Sequence, residues 1–305
     1  MDQDYRQRCS DLATLILRFT AADGLHHAPV PGVHCARYSK TDRPTKRQWR
    51  ACLAIVAQGC KEVVVGLETF AGKAGQFTAA PIHLPVISRV AAATPEKPFL
   101  ALLIDLEPRV LNEVAAHFEA VALQESAPPV LGFFRGTASP EMLDAAVRLA
   151  TLFQSSEDAQ VLGPLVVKEL LYYLLKGPEG PAIRQFARLG TVTHKISQAA
   201  FEIRSDLGND VDVAALAKAA RMSRSAFFKH FKGVTSLSPI QYQKRLRLLE
   251  AQRLMVDHGE TAQQSSFRVG YTSASQFSRE YLRMFGEAPW RHVIKLKRAG
   301  AAREI

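Results

Sequence analysis

The 305-residue sequence lacks several features that mark particular classes of protein. It has no apolar run near the roughly 18 residues that a transmembrane helix needs. Its first residues do not follow the basic-then-apolar order of a secretion signal, so we expect a cytoplasmic protein. No glycine-rich phosphate loop, Ser/His/Asp arrangement or pair of carboxylates stands out, and the sequence therefore predicts no catalytic residue.

Cysteine is also scarce. The four cysteines all lie in the N-terminal part: Cys9, Cys35, Cys52 and Cys60. They form neither a CxxC pair nor the Cys/His spacing of a zinc site. In a reducing compartment such residues are inert free thiols, and we expect that role here. The alternative is a thiol sensor, which would need a lowered pKa that a sequence does not show.

Acidic residues are scarce only in the last third of the chain. Residues 191–305 hold 19 Lys and Arg against 10 Asp and Glu, whereas residues 1–190 hold 20 against 19. This surplus of positive charge indicates a polyanionic partner for the C-terminal part, either nucleic acid or an acidic membrane face.

The first hundred residues predict β structure. Short runs of apolar and β-branched residues are separated by Gly or Pro, which is typical of a sandwich or a small barrel. The predicted strands span residues 33–38, 52–57, 62–67, 77–80, 86–91 and 99–106.

Apolar residues at helical spacing then replace this pattern. Three helices are predicted over residues 108–121, 139–154 and 163–177. The second of them has Ser139 as its N-cap. The stretch KGPEGPAIRQ (176–185) contains two Gly-Pro steps that discourage a continuous helix, so we expect a domain boundary there.

Helices also dominate the remaining residues. One is predicted over 193–208, and Asp212 is the predicted N-cap of another. A longer helix over about 239–258 begins at the Ser238–Pro239 step. This helix has about 20 residues and is therefore roughly 30 Å long.

One short segment occurs twice, fifty residues apart. SRSAFFKHFKGVTSLSP (223–239) aligns without a gap to SASQFSREYLRMFGEAP (273–289). A capping serine starts a predicted helix in each copy, and Ser273 with Gln276 forms a predicted capping box.

Each repeated helix has an aromatic face and an outer face. The aromatic residues are spaced four apart and are predicted to be buried: Phe227, Phe231, Phe277 and Tyr281. The outer face of the first helix presents Arg224, Ser225, Phe228, Lys229 and Lys232. The outer face of the second presents Ala274, Ser275, Ser278, Arg279 and Leu282.

A shorter helix and a tight turn precede each copy, as LAKAARM and as SFRVGYT. Such a pair is a helix-turn-helix, whose second helix enters the major groove. We predict two such units, at about 212–235 and 261–285, joined by the helix at about 239–258. A linker of that length would hold the two reading helices near one turn of DNA apart, roughly 34 Å. The predicted partner is therefore double-stranded DNA, read at two successive major-groove segments.

Both repeated segments resemble those of a known protein family. VGYTSASQFSREYLRMFGEAPW resembles the signature of the AraC/XylS family of bacterial transcription regulators, and the segment LAKAARMSRSAFFKHFKGVTSLSP is similar to that family's first helix-turn-helix. The N-terminal region more loosely resembles the cupin-type effector domain of one subgroup. The resemblance implies an α+β two-domain protein, with a cupin-like β-barrel and helices over 1–180 for effector binding and dimerisation. An all-α DNA-binding domain would cover 190–305.

The resemblance also implies which residues face bases. These are Ser225, Phe228 and Lys229 in the first unit, and Ser275, Gln276 and Arg279 in the second. Phe228 departs from the family pattern, in which a polar residue is common.

Ser265 and Ser266 also depart from the pattern, because small apolar residues are usual there. From this departure we expect a less firmly packed second unit. On the linker helix, the predicted role of Lys244, Arg245 and Arg247 is a solvated basic face, with phosphate contact as the alternative.

The implied partners are a bipartite promoter site, a small-molecule effector, RNA polymerase and a second copy of the chain, without a membrane. The dimerising helices would lie near 139–176. We expect no metal and no other cofactor, because four of the N-terminal histidines do not form the clustered H-x-H…E pattern of a cupin metal site: His26, His27, His34 and His83.

Three points stay open at the level of sequence. Trp49 and His83 either line a pocket or only pack. A cupin-like metalloenzyme or a Cys-dependent enzyme fused to a DNA-targeting module is the alternative function, and a regulator without a ligand is another. The residues do not distinguish activation from repression.

Overall fold

The computed structural model describes residues 3–118 and 130–298, and its N-terminal part is built on β-sheets. Ten strands occur in these ranges: β1 Gly24–His27, β2 Val33–Tyr38, β3 Thr45–Trp49, β4 Cys52–Gln58, β5 Cys60–Val65, β6 Glu68–Lys73, β7 Gln76–Ala80, β8 Leu84–Ala92, β9 Phe99–Asp105 and β10 Phe134–Thr137. They form a six-stranded sheet, β1-β2-β9-β4-β7-β10, and a four-stranded sheet, β3-β8-β5-β6. The predicted sandwich or barrel of short strands is confirmed.

The two sheets pack on each other through small and apolar side chains. Val90 of the four-stranded sheet lies in one cluster with Val56 and Ala101 of the six-stranded sheet. Leu53 and Ile55 alternate with Val56 along β4, so they point to the opposite face. There they join the main core, and two antiparallel sheets with one helix-covered face result.

All six predicted strands are present, and four further strands were not predicted: β1, β3, β6 and β10. These four are the outer strands of the two sheets. The strand predicted at 62–67 lies instead at Cys60–Val65, because Gly66 adopts φ +63° and turns the chain into β6.

Six helices belong to the same part of the chain: α1 Gln3–Phe19, α2 Pro108–Ala115, α3 Pro140–Thr151, α4 Ser156–Val161, α5 Gly163–Lys176 and α6 Gly180–Ala187. The helices predicted at 139–154 and 163–177 are confirmed as α3 and α5. The Ser139 hydroxyl accepts a hydrogen bond from the Met142 backbone N–H, as its predicted capping role requires. The end of the helix predicted at 108–121 lies outside the described residues.

The chain at 176–185 interrupts the helices but does not lack structure. Helix α5 ends at Lys176, and α6 begins at Gly180 after three intervening residues. Ile183 and Phe186 of α6 are buried in the main core. The Gly-Pro steps therefore break the helix, as predicted, while the chain beyond them packs as a short helix.

Seven helices complete the described chain: α7 Val192–Ser205, α8 Val213–Ala219, α9 Arg224–Thr235, α10 Pro239–Asp257, α11 Ala262–Arg268, α12 Ala274–Phe285 and α13 Pro289–Arg298. A helical C-terminal domain thus follows the N-terminal β domain. Across the described ranges, no helix is both long enough and apolar enough to cross a bilayer.

Candidate DNA interface and interdomain cleft

The first helix-turn-helix is formed by α8 and α9. Asp212 accepts hydrogen bonds from the backbone N–H groups of Ala214 and Ala215, and so caps α8 as predicted. Ser223 accepts from Ala226 and caps α9. Phe227 and Phe231 are fully buried, with ring centroids 5.7 Å apart.

The outer face of α9 is polar and open. Four of its predicted DNA-contacting side chains are exposed: Arg224, Ser225, Lys229 and Lys232. Phe228 differs, because it is half-buried and packs against the main core. The exposed set carries three cations, which suits a phosphate or base edge at this face.

The second unit repeats this arrangement with α11 and α12. Phe277 and Tyr281 are fully buried, with ring centroids 5.5 Å apart. On the opposite face, Ser275, Gln276 and Arg279 are exposed. Ser278 is half-buried and Leu282 is 48% exposed.

The predicted capping box of α12 is only half right. The Ser273 hydroxyl accepts from the Gln276 backbone N–H, as predicted. The Gln276 side chain, however, donates to Glu280 at 3.3 Å, one turn further along the helix. A carboxylate four residues away competes for the amide because it lies on the same helix face.

Glu280 accepts two further hydrogen bonds. Lys244 of α10 donates to it at 2.9 Å, and the Tyr271 hydroxyl donates at 2.8 Å. Burial opposes ionisation of Glu280, but the bonds from Lys244, Tyr271 and Gln276 outweigh it and lower the pKa of the carboxyl. Glu280 is therefore an ionised link between the linker helix, the turn and the second reading helix.

The linker helix α10 has 19 residues, which corresponds to about 28 Å. The prediction of a solvated basic face on it is wrong for Arg247. This side chain is buried and donates to the Leu207 carbonyl at 2.7 Å and to Asp210 at 2.9 Å. An arginine with several donors can satisfy carbonyls in the loop after α7, which an aliphatic side chain cannot do.

The expectation of loose packing at Ser265 and Ser266 is not supported. Both side chains are fully buried. The Ser266 hydroxyl donates to the Gln263 carbonyl at 2.7 Å, and that of Ser265 donates to Glu260 at 3.3 Å. Small hydroxyl groups with partners pack as closely as small apolar groups, so nothing at these positions loosens the unit.

Among the described residues, hydrogen bonds join the strands and loops of the N-terminal domain to α9, α10 and α12 of the C-terminal domain. The Tyr242 hydroxyl of α10 donates to the His83 carbonyl at 2.7 Å. The Gly132 backbone N–H donates to the Val234 carbonyl at 2.9 Å, in the last turn of α9. Lys46 of β3 donates to the Met284 carbonyl, in the last turn of α12.

A cleft of about 1290 Å³ lies between the two domains. Its wall on the N-terminal side includes β3 and the Arg50 and His83 loops, and its other walls come from α7, α10 and the α12–α13 region. The lining contains both apolar and cationic side chains, Leu249, Phe285 and Arg204 among them.

Arg50 and Arg204 lie near His83 in this cleft. Arg50 donates to Asp105 at 3.0 Å, and the same carboxylate lies 3.2 Å from His34. Arg204 Nε and His83 Nδ1 are buried and have no hydrogen-bond partner among the described residues. Burial and the charges of Arg204 and Arg50 lower the pKa of His83 to about 4. His83 and Arg204 thus line the cleft. Trp49, the other residue for which the sequence left pocket and packing roles open, packs against Phe133 with ring centroids 5.5 Å apart.

The four cysteines are free thiols. Burial raises the pKa of each thiol, to about 12 for Cys35 and Cys52. A thiolate is the form that reacts with oxidants and electrophiles, so these environments disfavour the thiol-sensor alternative.

The four histidines that the sequence offered as metal ligands do not gather at one site. His26 contacts the Ala22 carbonyl, and the rings of His27 and His34 lie 4.8 Å apart. His83 lies in the interdomain cleft. Within residues 3–118 and 130–298, no three His, Cys, Asp or Glu side chains are grouped so that they could hold a metal ion.

Comparison with known proteins agrees with this architecture. Residues 29–182 match the family described as AraC-type transcriptional regulator N-terminus, and residues 216–292 match a helix-turn-helix domain. The chain is 31% identical over 95 residues to the probable transcriptional regulator LumQ of Photobacterium leiognathi, covering 31% of this chain and 38% of LumQ. It is 25% identical over 156 residues to the regulator ArgR of Pseudomonas aeruginosa, covering 51% of this chain and 47% of ArgR. It therefore spans less than half the length of these two relatives.

The fold as a whole is similar to that of ToxT from Vibrio cholerae, in a crystal structure with bound unsaturated fatty acid. The TM-score is 0.58 at 13% identity, over 90% of this chain and 96% of ToxT. This likeness confirms the predicted two-domain class. The matched N-terminal region alone covers half of the sequence, and we conclude that the chain belongs to the AraC-type transcriptional regulators.

Proposed function

We propose that this protein regulates transcription by binding a bipartite promoter site on double-stranded DNA. The observation that carries the proposal is the repeated exposure of a polar, cationic helix face opposite a buried aromatic face, in α9 and again in α12. A helix presented in this way fits the major groove. The linker of about 28 Å supports binding to two neighbouring groove segments.

The proposed DNA contacts follow from exposure and charge. In the first unit they are Arg224, Ser225, Phe228, Lys229 and Lys232. In the second unit they are Ser275, Gln276, Ser278 and Arg279. The exposed polar members contact bases or phosphates, while the half-buried Phe228 contributes its free ring edge to a thymine methyl group. We assign DNA binding to residues 190–305 and effector binding to residues 1–180.

Effector binding is proposed for the interdomain cleft. Arg50 already shares its carboxylate partner with His34, whereas Arg204 Nε and His83 Nδ1 have no hydrogen-bond partner among the described residues and are available to a ligand. An anionic group on the effector would supply that partner, and the apolar part of the lining would hold a carbon chain or ring. ToxT, which has a similar fold, was crystallised with an unsaturated fatty acid.

The remaining partners are also proposals. The apolar stripe of α3 is used inside the domain, since Met142, Ala146 and Leu149 are buried. Val161 and Leu165 beside it are 65% and 61% exposed, and they favour a homodimer through α4 and α5. RNA polymerase at the promoter is a further partner, and binding to bacterial DNA implies the cytoplasm, without a membrane.

We propose no enzymatic role. The raised thiol pKa values weigh against Cys-dependent chemistry, and the lack of any group of three possible metal ligands among the described residues weighs against a cupin metal centre. Metal analysis of the purified chain checks this point, because stoichiometric iron or zinc would favour the enzyme alternative.

Footprinting of the full chain on a duplex selected from a random library tests the DNA proposal. We expect two protected major-groove segments about one helical turn apart, and an affinity that falls steeply with salt because several phosphates are contacted. A single protected segment would contradict the two-reader arrangement.

A thermal-shift series with fatty acids, aromatic carboxylates and phosphate esters tests the effector proposal. The variant Arg204→Gln removes the proposed cationic contact, and a ligand that stabilises the unchanged chain should no longer stabilise it. A ligand that stabilises both proteins equally would place its site elsewhere.

A further inference from the structure

The side chain of Gln276 lies in an unusual position for the third residue of a helix. Its backbone N–H is already bonded to the Ser273 cap, and its amide nitrogen donates to Glu280 at 3.3 Å. The exposed side chain therefore does not fold back onto the helix end, as a capping box would require. It lies along the outer surface of α12 instead.

Glu280 is held from several sides. Its side chain is 12% exposed, and both carboxylate oxygens are used: Lys244 donates to Oε1 and Tyr271 to Oε2. Because these two donors come from α10 and from the turn before α12, the carboxylate has little freedom to follow Gln276. Gln276 must adapt to Glu280.

This geometry fixes which end of the Gln276 amide points outward. An ionised carboxylate only accepts hydrogen bonds, so the amide must turn its NH₂ group toward Glu280. The amide oxygen is then left for another partner, with the second N–H beside it. An acceptor next to a donor matches adenine, which offers its N6 amino group and N7. Guanine and thymine present only acceptors at the equivalent positions.

We propose that Glu280 is a positioning residue that orients Gln276 so that the second unit prefers adenine at one base pair. The inference rests on the proposed function, since it assumes that α12 enters the major groove. It adds a specificity determinant that does not itself touch DNA.

The first unit shows that the fold does not require this pair. Fifty residues earlier, the positions equivalent to Gln276 and Glu280 are Ala226 and His230. Both units nevertheless bury their aromatic pairs fully. The Gln–Glu pair therefore belongs to the reading surface of the second unit rather than to the architecture of a helix-turn-helix.

The test is selection of duplexes from a randomised library by the full chain and by its variants. The unchanged protein should enrich adenine at one position of the second half-site. Gln276→Ala and Glu280→Ala should each reduce the preference at that same position by about tenfold, the range expected for one bidentate base contact, and leave the other positions alone. The double variant should lose no more than either single one, because the two residues act as one device.

A swapped pair gives a sharper result. Gln276→Glu combined with Glu280→Gln keeps a hydrogen bond between the two side chains but leaves only acceptors facing the groove. The preference should then move from adenine toward cytosine, whose N4 amino group is a donor without an adjacent N7. A change of base identity is an effect that simple loss of packing cannot produce.

Tyr271→Phe and Lys244→Gln are the matched controls, because each removes one bond to Glu280 and keeps the bond to Gln276. We expect both to speed hydrogen exchange within the second unit and to retain the adenine preference. The inference is overturned if Gln276→Ala alters the position while Glu280→Ala does not, or if Glu280→Ala only weakens all sequences equally. If the unchanged chain enriches no sequence, the DNA-reading proposal itself fails, and this inference fails with it.

Discussion

The two helix-turn-helix units share a sequence pattern but are held in the protein by different means. Phe227 and Phe231 of the first unit belong to the large core that also contains residues of the β domain. Phe277 and Tyr281 of the second unit belong to a separate, smaller cluster of helical residues. The first unit is thus continuous with the β domain, whereas the second has a separate core.

Polar contacts compensate for the smaller apolar core of the second unit. Glu280 links three segments, and the buried hydroxyls of Ser265 and Ser266 have partners within the unit. An apolar core resists local opening through its whole buried area, while a polar network depends on each bond being made. The same motif can therefore have different stability in two places of one chain.

The largest expected effect separates the two cores. Phe231→Ala should destabilise the whole chain by about 3–5 kcal/mol, because it removes a ring from the shared core. Phe277→Ala is the matched change, and it should open mainly the second unit. Hydrogen exchange followed through both units and the β domain checks this difference. Equal loss of protection everywhere in both variants would show that the two cores are energetically one.

The next largest expected effect is a loss of folding stability at acidic pH, which arises at His83. The folded chain holds the pKa of His83 near 4, below the value of about 6.5 in an unfolded chain. The unfolded state therefore binds the additional proton, and the stability from neutral His83 is complete above pH 6.5 and is lost as the pH falls toward 4. The loss amounts to about 3 kcal/mol at most.

Urea unfolding at a series of pH values measures this dependence, with His83→Gln as the control. The Tyr242 hydroxyl bonds to the His83 carbonyl, and Tyr242 packs on Phe231 with ring centroids 5.5 Å apart. Opening of the first unit, obtained from exchange rates corrected for the intrinsic rate at each pH, should consequently increase with acid sooner than opening of the second. A variant without His83 that keeps the full pH slope would assign the slope to other groups.

The next largest expected effects come from substitutions on the outer faces of α9 and α12. Lys229→Ala and Arg279→Ala should each cost about 1–3 kcal/mol of specific DNA binding, because each removes one cationic contact to a base or phosphate. Each should relax sequence preference only within its own half-site. Lys97→Ala, at an exposed lysine of the β domain, is the control and should leave both half-sites unchanged. Loss of preference in both half-sites from either reader variant would contradict independent reading.

The smallest expected effects come from removing one tyrosine hydroxyl beside each helix-turn-helix unit. Tyr242→Phe should reduce the free energy of unfolding by about 1 kcal/mol, because it breaks the bond to His83 between the domains. Tyr271→Phe should have a similar effect confined to the second unit. Differential scanning calorimetry detects the first as a shift of the main transition. If Tyr271→Phe moves that transition as far as Tyr242→Phe does, the cores of the two units are not separate in stability.

The strands show which parts of the fold could be predicted from the sequence and which could not. Central strands such as β4 and β9 are buried along most of their length, so continuous apolar runs reveal them. The four strands that were missed are all at sheet edges. β3 is the sequence TKRQW and is half-buried throughout, and its polar pattern is that of an edge exposed to solvent on one side. Only pairing with β8 makes it a strand.

The candidate sites divide in a similar way. The reading faces of α9 and α12 could be predicted because helical spacing alone separates the aromatic side from the polar side. The bond of Gln276 to Glu280 could not be, since a capping box and an i,i+4 pair are both allowed by the same residues. The cleft residues Arg50, His83 and Arg204 are distant in sequence, and only the packing of the two domains brings them together.

The bonds from Gly132 and Lys46 have one further consequence. Each is made to the carboxyl end of a reading helix, at Val234 in α9 and at Met284 in α12. The β domain thus holds both helices by a hydrogen bond at the end remote from their capping serines. A tilt of α9 or α12 would break one of these bonds, so we expect the spacing of the two helices to depend on the β domain as well as on the linker helix.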